Sequence, residues 1–214
     1  MSRDGGHERL RDHLISLSIS LPALIERVPG AGVDGELEAQ RLAGFAAYLT
    51  HYGDHDGQSG GGTLGPLDVR EVLSHAVRLT RGELQQKARV NENYLAAPPV
   101  RASLRQLGQV FISLLINAAQ ATPAGDPDAH TIAVELDTSD DGWARIAIAD
   151  TGAGIAADVL PRIFEPLFST KRGEGMGIGL ALVRALIEDL GGRISVESEP
   201  GFGTLFILEL PPAP

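Results

Sequence analysis

The chain contains no cysteine, and aromatic residues make up only 5% of its 214 residues. The absence of cysteine excludes a disulfide framework, a thiolate metal site and a catalytic thiol. No run of about 18 apolar residues occurs, so the sequence encodes no membrane span. The first residues also lack the apolar stretch of a signal peptide. These absences favour a cytoplasmic protein.

Basic residues are also scarce: 18 lysines and arginines stand against 28 acidic residues, which gives a formal net charge of −10. Nonspecific nucleic-acid binding needs a basic surface that displaces counterions, so we expect no nucleic-acid partner. Hydrophobic residues make up 43% of the chain. That content and the chain length are sufficient for one large or two small domains.

Residues 1–53 show two helical patterns in succession. In the first, leucines recur at helical spacing, at Leu10, Leu14, Leu17 and Leu21. A short Pro-Gly-Ala-Gly turn follows, so the two helices are predicted to form an antiparallel hairpin. Because a lone hairpin buries its apolar stripe poorly, we expect a homodimer in which two hairpins form a four-helix bundle. Residues 54–66 are rich in glycine and are predicted to be a flexible linker.

Residues 67–214 carry the signals of a second domain. Thr131–Asp137 alternates strictly, as a half-buried strand does, and Ala102–Thr122 has the apolar stripe of an amphipathic helix. The same patterns predict a helix over Val69–Gln86, strands over Arg89–Leu95 and Trp143–Asp150, a helix over Ile178–Leu190, and a hairpin of Arg193–Glu199 with Thr204–Leu210. The predicted fold class is α+β: a helical hairpin followed by a two-layer α/β sandwich, with helices on one face of a mixed sheet.

Asp150 ends one of these strands and shares a face with Ile146 and Ile148. A carboxylate that faces the core is costly unless it is hydrogen-bonded, and the exocyclic amino group of adenine is a suitable donor. Gly152 and Gly154 would let a purine approach the backbone. A turn or capping aspartate is the alternative interpretation.

Two further signals are weak when each is taken alone. Asn117 lies on the flank of its apolar helix, and Ser113 precedes it by one turn; a surface or capping asparagine is the alternative. Gly175, Gly177 and Gly179 stand directly before a predicted helix, whose N-terminus favours anions. A plain glycine turn is the alternative for this string.

Four motifs follow one another in a fixed order: Asn117 in its helix, Asp150–Ile155, Phe164–Lys171 and Gly175–Leu180. In this combination residues 64–211 resemble the ATP-binding domain of two-component sensor histidine kinases, in the wider group shared with gyrase, Hsp90 and MutL. The resemblance implies the Bergerat ATP-binding fold, with ATP and Mg²⁺ as cofactors. It also implies phosphorylation of a histidine and passage of the phosphoryl group to an aspartate on a response-regulator receiver domain.

The resemblance also implies roles for single residues: Asp150 reads adenine, Asn117 coordinates Mg²⁺, and Lys171 in a mobile lid reaches the phosphates. The implied ATP-binding residues are Asn117, Asp150, Gly152, Gly154, Phe164, Lys171, Gly175, Gly177, Gly179, Leu180 and Thr204. Core packing is the alternative role for Phe164. Relatives that hydrolyse ATP use a carboxylate where this chain has Ser113. A serine cannot activate water in that way at neutral pH, so we expect no vigorous ATP hydrolysis.

The acceptor histidine departs from the family pattern, which is His-Glu or His-Asp followed by a proline a few residues later. His7 has the adjacent Glu8 but no proline at the expected place, and His13 is preceded by Asp12 but followed by leucine. An acidic neighbour orients the imidazole and accepts its proton during attack. Both histidines therefore stay open as catalytic acceptors, and so does the possibility that neither one accepts.

The resulting interpretation is a homodimeric histidine kinase core without a sensor domain. We expect it to be either a piece of a longer kinase or a short kinase that a separate partner regulates. A catalytically silent ATP-binding scaffold and a serine/threonine kinase of the anti-sigma type are the alternatives. A gyrase- or MutL-like ATPase agrees least with the sequence.

Overall fold

The computed structural model describes residues 64–165, 168 and 179–214. All of them except Phe168 belong to one compact unit. Its strands are β1 (Gly65–Leu67), β2 (Arg89–Tyr94), β3 (Val100–Ala102), β4 (Thr131–Thr138), β5 (Ala144–Asp150), β6 (Arg193–Glu199) and β7 (Gly203–Leu210). Its helices are α1 (Val69–Gln85), α2 (Leu104–Ala121) and α3 (Gly179–Asp189), with short 3₁₀ helices at Pro127–Ala129 and Leu160–Arg162.

Side-chain caps fix the starts of α1 and α2. Asp68 Oδ1 accepts the Arg70 N–H at 2.8 Å at the start of α1. At the start of α2, Ser103 Oγ accepts the Gln106 N–H at 3.2 Å, and Gln106 Oε1 accepts the Ser103 N–H at 3.2 Å. This reciprocal pair is a capping box, and a cap of this kind contributes about 1 kcal/mol. Both helices therefore begin close to the predicted residue.

Five strands form a mixed sheet in the order β2-β4-β5-β7-β6. β2 and β4 are parallel, whereas the other neighbouring pairs are antiparallel. A parallel pair needs a crossover connection, and the segment that contains α2 supplies it. The predicted mixed sheet is therefore confirmed, and each predicted element of residues 67–214 is present among the described residues with small shifts at its ends.

One face of the sheet is buried under the helices. Alternate residues of β5 are buried on this face, and α2 packs centrally against α1, α3 and β5. The largest fully buried side chains of α2 are Leu107, Phe111, Leu114 and Leu115. Each large side chain of this kind contributes about 1.5–3 kcal/mol when it is fully buried. The prediction of helices on one face of the sheet agrees with this packing.

Charged residues form a row across the opposite face of the sheet. Asp137, Arg145, Glu209 and Arg193 are successive register partners on β4, β5, β7 and β6. Arg145 Nε donates to Asp137 Oδ1 at 2.7 Å, and this hydrogen bond lowers the pKa of the Asp137 carboxyl. Arg193 Nε lies 3.7 Å from Glu209 Oε2. Opposite charges on neighbouring strands each contribute roughly 0.2–1 kcal/mol, so this row favours the observed register.

The sequence pattern does not predict β1 and β3, which pair antiparallel with each other. Gly65 and Pro66 belong to β1, although the linker prediction includes them. Strands of three residues are too short for a hydrophobic period to reveal. The hairpin predicted over 1–53 and the rest of the linker lie outside the described residues. Within the described ranges, no helix combines the length and the apolar character needed to span a bilayer.

Candidate functional site

Asp150 ends β5 with its side chain on the helix-covered face, where the residue is only 7% exposed. Its register partners on the two adjacent strands are Ile132 and Thr204, and Thr204 is 5% exposed. Asp150 Oδ1 accepts the Gly152 N–H at 2.8 Å, which offsets part of the cost of burying a carboxylate. The predicted orientation of Asp150 is therefore observed, and the carboxylate lies beside a buried hydroxyl-bearing residue.

The loop after β5 approaches other segments so closely that it has no room for side chains at two positions. Gly154 has a φ of +66°, and a Cβ at this position would collide with the carbonyl oxygen of Glu199. A Cβ on Gly152 would collide with the carbonyl oxygen of Ala121, at the end of α2. The N–H of Ala153 donates to that same oxygen at 2.9 Å. The end of α2 and the end of β6 thus fix the path of this loop, residues 151–155, which we call the glycine loop.

A hydroxyl cluster joins the glycine loop to β6 and β7. Ser198 Oγ accepts the Ile155 N–H at 2.8 Å and donates to the carbonyl oxygen of Gly203 at 2.7 Å. It also lies 2.9 Å from Thr204 Oγ1. Because Thr204 is the register partner of both Asp150 and Ser198, one polar row crosses three neighbouring strands.

Asn117 lies in the C-terminal half of α2 and is half-buried, one turn after Ser113. Its Nδ2 atom is fully buried and has no hydrogen-bond partner among the described residues. An unsatisfied buried polar group costs about 1–3 kcal/mol. A half turn about the Cβ–Cγ bond exchanges the amide nitrogen and oxygen, so the side chain can offer either a donor or an acceptor there. The position therefore suits a polar group that is bound from outside the described chain.

Phe164 packs against the end of the sheet. Its ring meets that of Phe206 in β7 edge-on, with centroids 6.5 Å apart and planes at 80°. The guanidinium of Arg184, in α3, lies 5.5 Å from the centroid of the Phe164 ring. Arg184 Nε also donates to Glu188 Oε1 at 2.7 Å, which holds the guanidinium on this side of α3. Phe164 is half-buried and makes these contacts, which agrees with the alternative prediction of a packing role.

The other predicted site residues divide into two groups. Gly179 and Leu180 are the first two residues of α3, with Gly179 exposed and Leu180 half-buried. The remaining ones lie outside the described residues; they are His7, His13, Lys171, Gly175 and Gly177. The structure thus brings together Asp150, Gly152, Gly154 and Thr204, and it shows Asn117 on the helix whose end meets the same loop.

Sequence reasoning missed Ser198, although a signal for it exists. The turn between β6 and β7 is centred on Gly201, and an antiparallel register counted outward from that residue pairs Ser198 with Thr204. A hydroxyl opposite Thr204 on the same face of the sheet is then expected. The role of Ile155 does not follow from any local pattern, because its N–H reaches Ser198 across 43 residues of sequence.

Residues 102–214 match the family model described as histidine kinase-, DNA gyrase B-, and HSP90-like ATPase. The sensor histidine kinase ZraS of Klebsiella oxytoca is 36% identical over 148 residues, which cover 68% of this chain and 31% of ZraS. ZraS of Escherichia coli (strain K12) is 34% identical over 223 residues, which cover 96% of this chain and 43% of that protein.

The fold is similar to that of a solved structure of the mycobacterial sensor histidine kinase MprB, with a TM-score of 0.59 and 28% identity. That comparison covers 71% of this chain and 99% of the MprB chain. This chain spans less than half the length of either ZraS relative. The chain belongs to the family of histidine kinase-, DNA gyrase B- and HSP90-like ATPases, and it carries the ATP-binding catalytic core of a sensor histidine kinase.

Proposed function

We propose that the chain binds MgATP around Asp150, transfers the γ-phosphoryl group to a histidine and passes it to an aspartate on a response-regulator receiver domain. The observation that carries this proposal is the buried pair of Asp150 and Thr204 beside a loop that admits no side chain at Gly152 or Gly154. Buried polar side chains that can accept hydrogen bonds suit a flat, polar base such as adenine.

Asp150 is assigned to the adenine end of the site. A carboxylate only accepts hydrogen bonds, and the exocyclic amino group of adenine donates them. Gly152 and Gly154 let the loop pack closely against the ends of α2 and β6, which holds the backbone next to Asp150 in one position. Thr204 adds a second polar group on the same buried face. The proposed nucleotide specificity therefore depends on hydrogen bonds from the base to β5 and β7.

Asn117 is assigned to the phosphate end of the site. The described residues contain no cluster of three or more His, Asp or Glu side chains that could hold a metal ion. Mg²⁺ keeps several waters and is commonly bound through few protein oxygens together with substrate phosphates, so a single amide oxygen is a sufficient protein ligand. When bound, the ion neutralises phosphate charge during phosphoryl transfer. Asn117 Nδ2 is buried without a hydrogen-bond partner among the described residues, and a half turn of the amide would place its oxygen at that position, which supports this assignment.

The proposed lid runs from Phe164 to the start of α3. Lys171 is assigned to the β- and γ-phosphates, and Gly175, Gly177 and Gly179 are assigned to phosphate contact through backbone N–H groups. Leu180 continues the helix that these glycines introduce. The first N–H groups of α3 have no partner inside the helix and favour an anion, which supports the placement of phosphates at this end.

The phosphoryl acceptor is assigned to the segment 1–53, as His7 or His13. We propose that this segment dimerises as a helical hairpin and that residues 54–66 let the ATP-binding domain, residues 67–214, move onto it. Ser113 offers no carboxylate for activating water, so transfer to an imidazole is favoured over hydrolysis. The identity of the relatives as sensor kinases supports a response regulator as the partner that takes the phosphoryl group.

The test is incubation of the purified chain with Mg²⁺ and γ-labelled ATP, alongside His7→Ala and His13→Ala. We expect retained label that is labile to acid and stable to alkali, as a phosphoramidate is, and that disappears in one of the two variants. Asn117→Ala controls for the nucleotide site and should abolish labelling. His75→Ala, on α1, is the matched histidine control and should keep it.

The other outcomes separate the competing functions. Acid-stable label would contradict the histidine kinase and favour the serine/threonine kinase of the anti-sigma type. Tight ATP binding without any label, including after addition of a receiver domain, would favour the silent scaffold. Label that survives both histidine substitutions would show that the acceptor lies elsewhere.

A further inference from the structure

The hydrogen bonds of Ser198 fix the direction in which the neighbouring hydroxyl points. Ser198 Oγ has one proton and two lone pairs. The Ile155 N–H can only donate, so it occupies one lone pair at 2.8 Å. The Gly203 carbonyl can only accept, so it takes the single Ser198 proton at 2.7 Å. The contact of 2.9 Å between Ser198 Oγ and Thr204 Oγ1 therefore requires Thr204 to donate.

This direction leaves Thr204 with acceptor capacity only. Its hydroxyl proton points to Ser198, and its lone pairs are the part that another group can meet. Asp150, its register partner on β5, is also an acceptor when it is a carboxylate, and its Oδ1 already receives the Gly152 N–H. The two buried side chains that line this end of the site thus both accept hydrogen bonds.

We propose that Ser198 is a positioning residue that sets the nucleobase specificity of the site by holding Thr204 as an acceptor. The inference rests on the proposed nucleotide-binding function. A purine with an amino group at position 6 donates toward two acceptors. A purine with an oxo group at that position presents an acceptor oxygen instead, and two acceptors that face each other form no hydrogen bond. Discrimination against 6-oxo purines is then a property of the row Asp150–Thr204–Ser198, although Ser198 itself does not touch the base.

The probes that test this effect are ADP and inosine diphosphate in the presence of Mg²⁺. They share the ribose and phosphates, and inosine has neither the 6-amino group of adenosine nor the 2-amino group of guanosine. Their dissociation constants are measured by isothermal titration calorimetry for the wild type, Ser198→Ala and Ser198→Thr. Ser195→Ala is the matched control, because Ser195 is an exposed serine of the same strand.

We expect the wild type to prefer ADP. In Ser198→Ala the Thr204 hydroxyl is free to donate to the 6-oxo group. The ratio of the dissociation constants for inosine diphosphate and ADP should therefore fall by about tenfold, the equivalent of one hydrogen bond. Ser198→Thr keeps the hydroxyl and should keep most of the preference. Ser195→Ala should leave it unchanged. Loss of the acceptor for Ile155 in Ser198→Ala would loosen the loop for both nucleotides alike, so it cannot by itself change their ratio.

A second substitution tests whether Ser198 acts through Thr204. Thr204→Val removes the hydroxyl and should also narrow the preference for ADP. In that background Ser198→Ala should change the ratio no further, because the proton that Ser198 controls is gone. Thr204→Val also keeps the test possible if Ser198→Ala does not fold.

The outcomes distinguish this inference from the function beneath it. If the wild type binds neither nucleotide, the proposed function fails and the inference fails with it. If the wild type binds ADP but Ser198→Ala weakens both nucleotides by the same factor, ATP binding stands and Ser198 has only a structural role. Equal affinity of the wild type for ADP and inosine diphosphate would overturn the inference about Ser198 and leave the proposed nucleotide binding intact.

Discussion

Replacement of Gly154 by alanine should destabilise the ATP-binding unit by about 3 kcal/mol, from two separate causes. Gly154 has a φ of +66°, and an alanine in the left-handed region costs roughly 1–2 kcal/mol. The new Cβ would also collide with the carbonyl oxygen of Glu199, and forcing packed groups apart costs typically about 1–3 kcal/mol more. The collision is with backbone, which cannot rotate away as a flexible side chain can.

Gly191→Ala separates the two causes. Gly191 follows α3 with a φ of +73°, so alanine there has the same conformational cost as at Gly154. The nearest atom to its added Cβ is Pro211 Cγ at 3.8 Å, an ordinary van der Waals contact. We therefore expect Gly191→Ala to cost only about 1–2 kcal/mol. The difference between the two variants measures the close approach of the glycine loop to β6.

Urea unfolding followed by tryptophan fluorescence measures both variants in the full chain. The chain has a single tryptophan, Trp143. It precedes β5, and the guanidinium of Arg193 lies 4.3 Å from its ring centroid, so its emission reports on this unit. ADP affinity is measured on the same samples. Without urea, Gly154→Ala should bind ADP more weakly than the wild type, and Gly191→Ala should bind it equally well. Equal stability and equal affinity of the two variants would refute the reasoning.

Three further predictions concern the site, the assembly and the sheet. Asn117→Ala and Asp150→Ala should each abolish nucleotide binding measured by calorimetry while far-ultraviolet circular dichroism stays unchanged; retained MgATP affinity in both would contradict the site assignment. Deletion of residues 1–55 should give a monomer that still binds ATP, and a dimer in light scattering would contradict the hairpin dimer. Asp137→Asn should lower the free energy of unfolding at pH 7 by less than about 1 kcal/mol, because its pair with Arg145 is partly exposed. Since Arg145 lowers the pKa of Asp137 in the folded state, the wild type keeps this advantage above the ordinary value of 3.8 and loses it as the pH falls below that value, where the two urea midpoints should converge.

The secondary structure of residues 67–214 could be predicted because each element is long enough to show its period. β4 alternates buried and partly exposed positions along most of its length, as its sequence does. The stripe of α2 and its Ser103 cap determine that helix independently of the rest of the chain. β1 and β3 could not be predicted, since three residues show no period and their pairing joins positions far apart in sequence.

The orientation of Asp150 could also be predicted, because strand alternation alone decides which face a residue occupies. The residues that surround Asp150 could not be predicted in this way. The loop at Gly154 touches Glu199 only because β5 and β7 are neighbours and β6 lies beyond β7. Sheet order of this kind depends on the packing of helices and on long-range pairing, and no local pattern in the chain encodes it.

Ser198 shows how a residue outside the sequence motifs can determine the hydrogen bonding of a residue at the predicted site. The motif residues Asp150 and Thr204 supply polar atoms, but an isolated threonine hydroxyl can donate or accept with equal ease. Ser198, on a third strand, determines which of the two occurs, because a carbonyl takes its proton and a backbone N–H takes one lone pair, which leaves only a lone pair for Thr204. Replacing Thr204 by serine should therefore keep the acceptor character of position 204, because Ser198 determines the direction of the hydroxyl proton at that position.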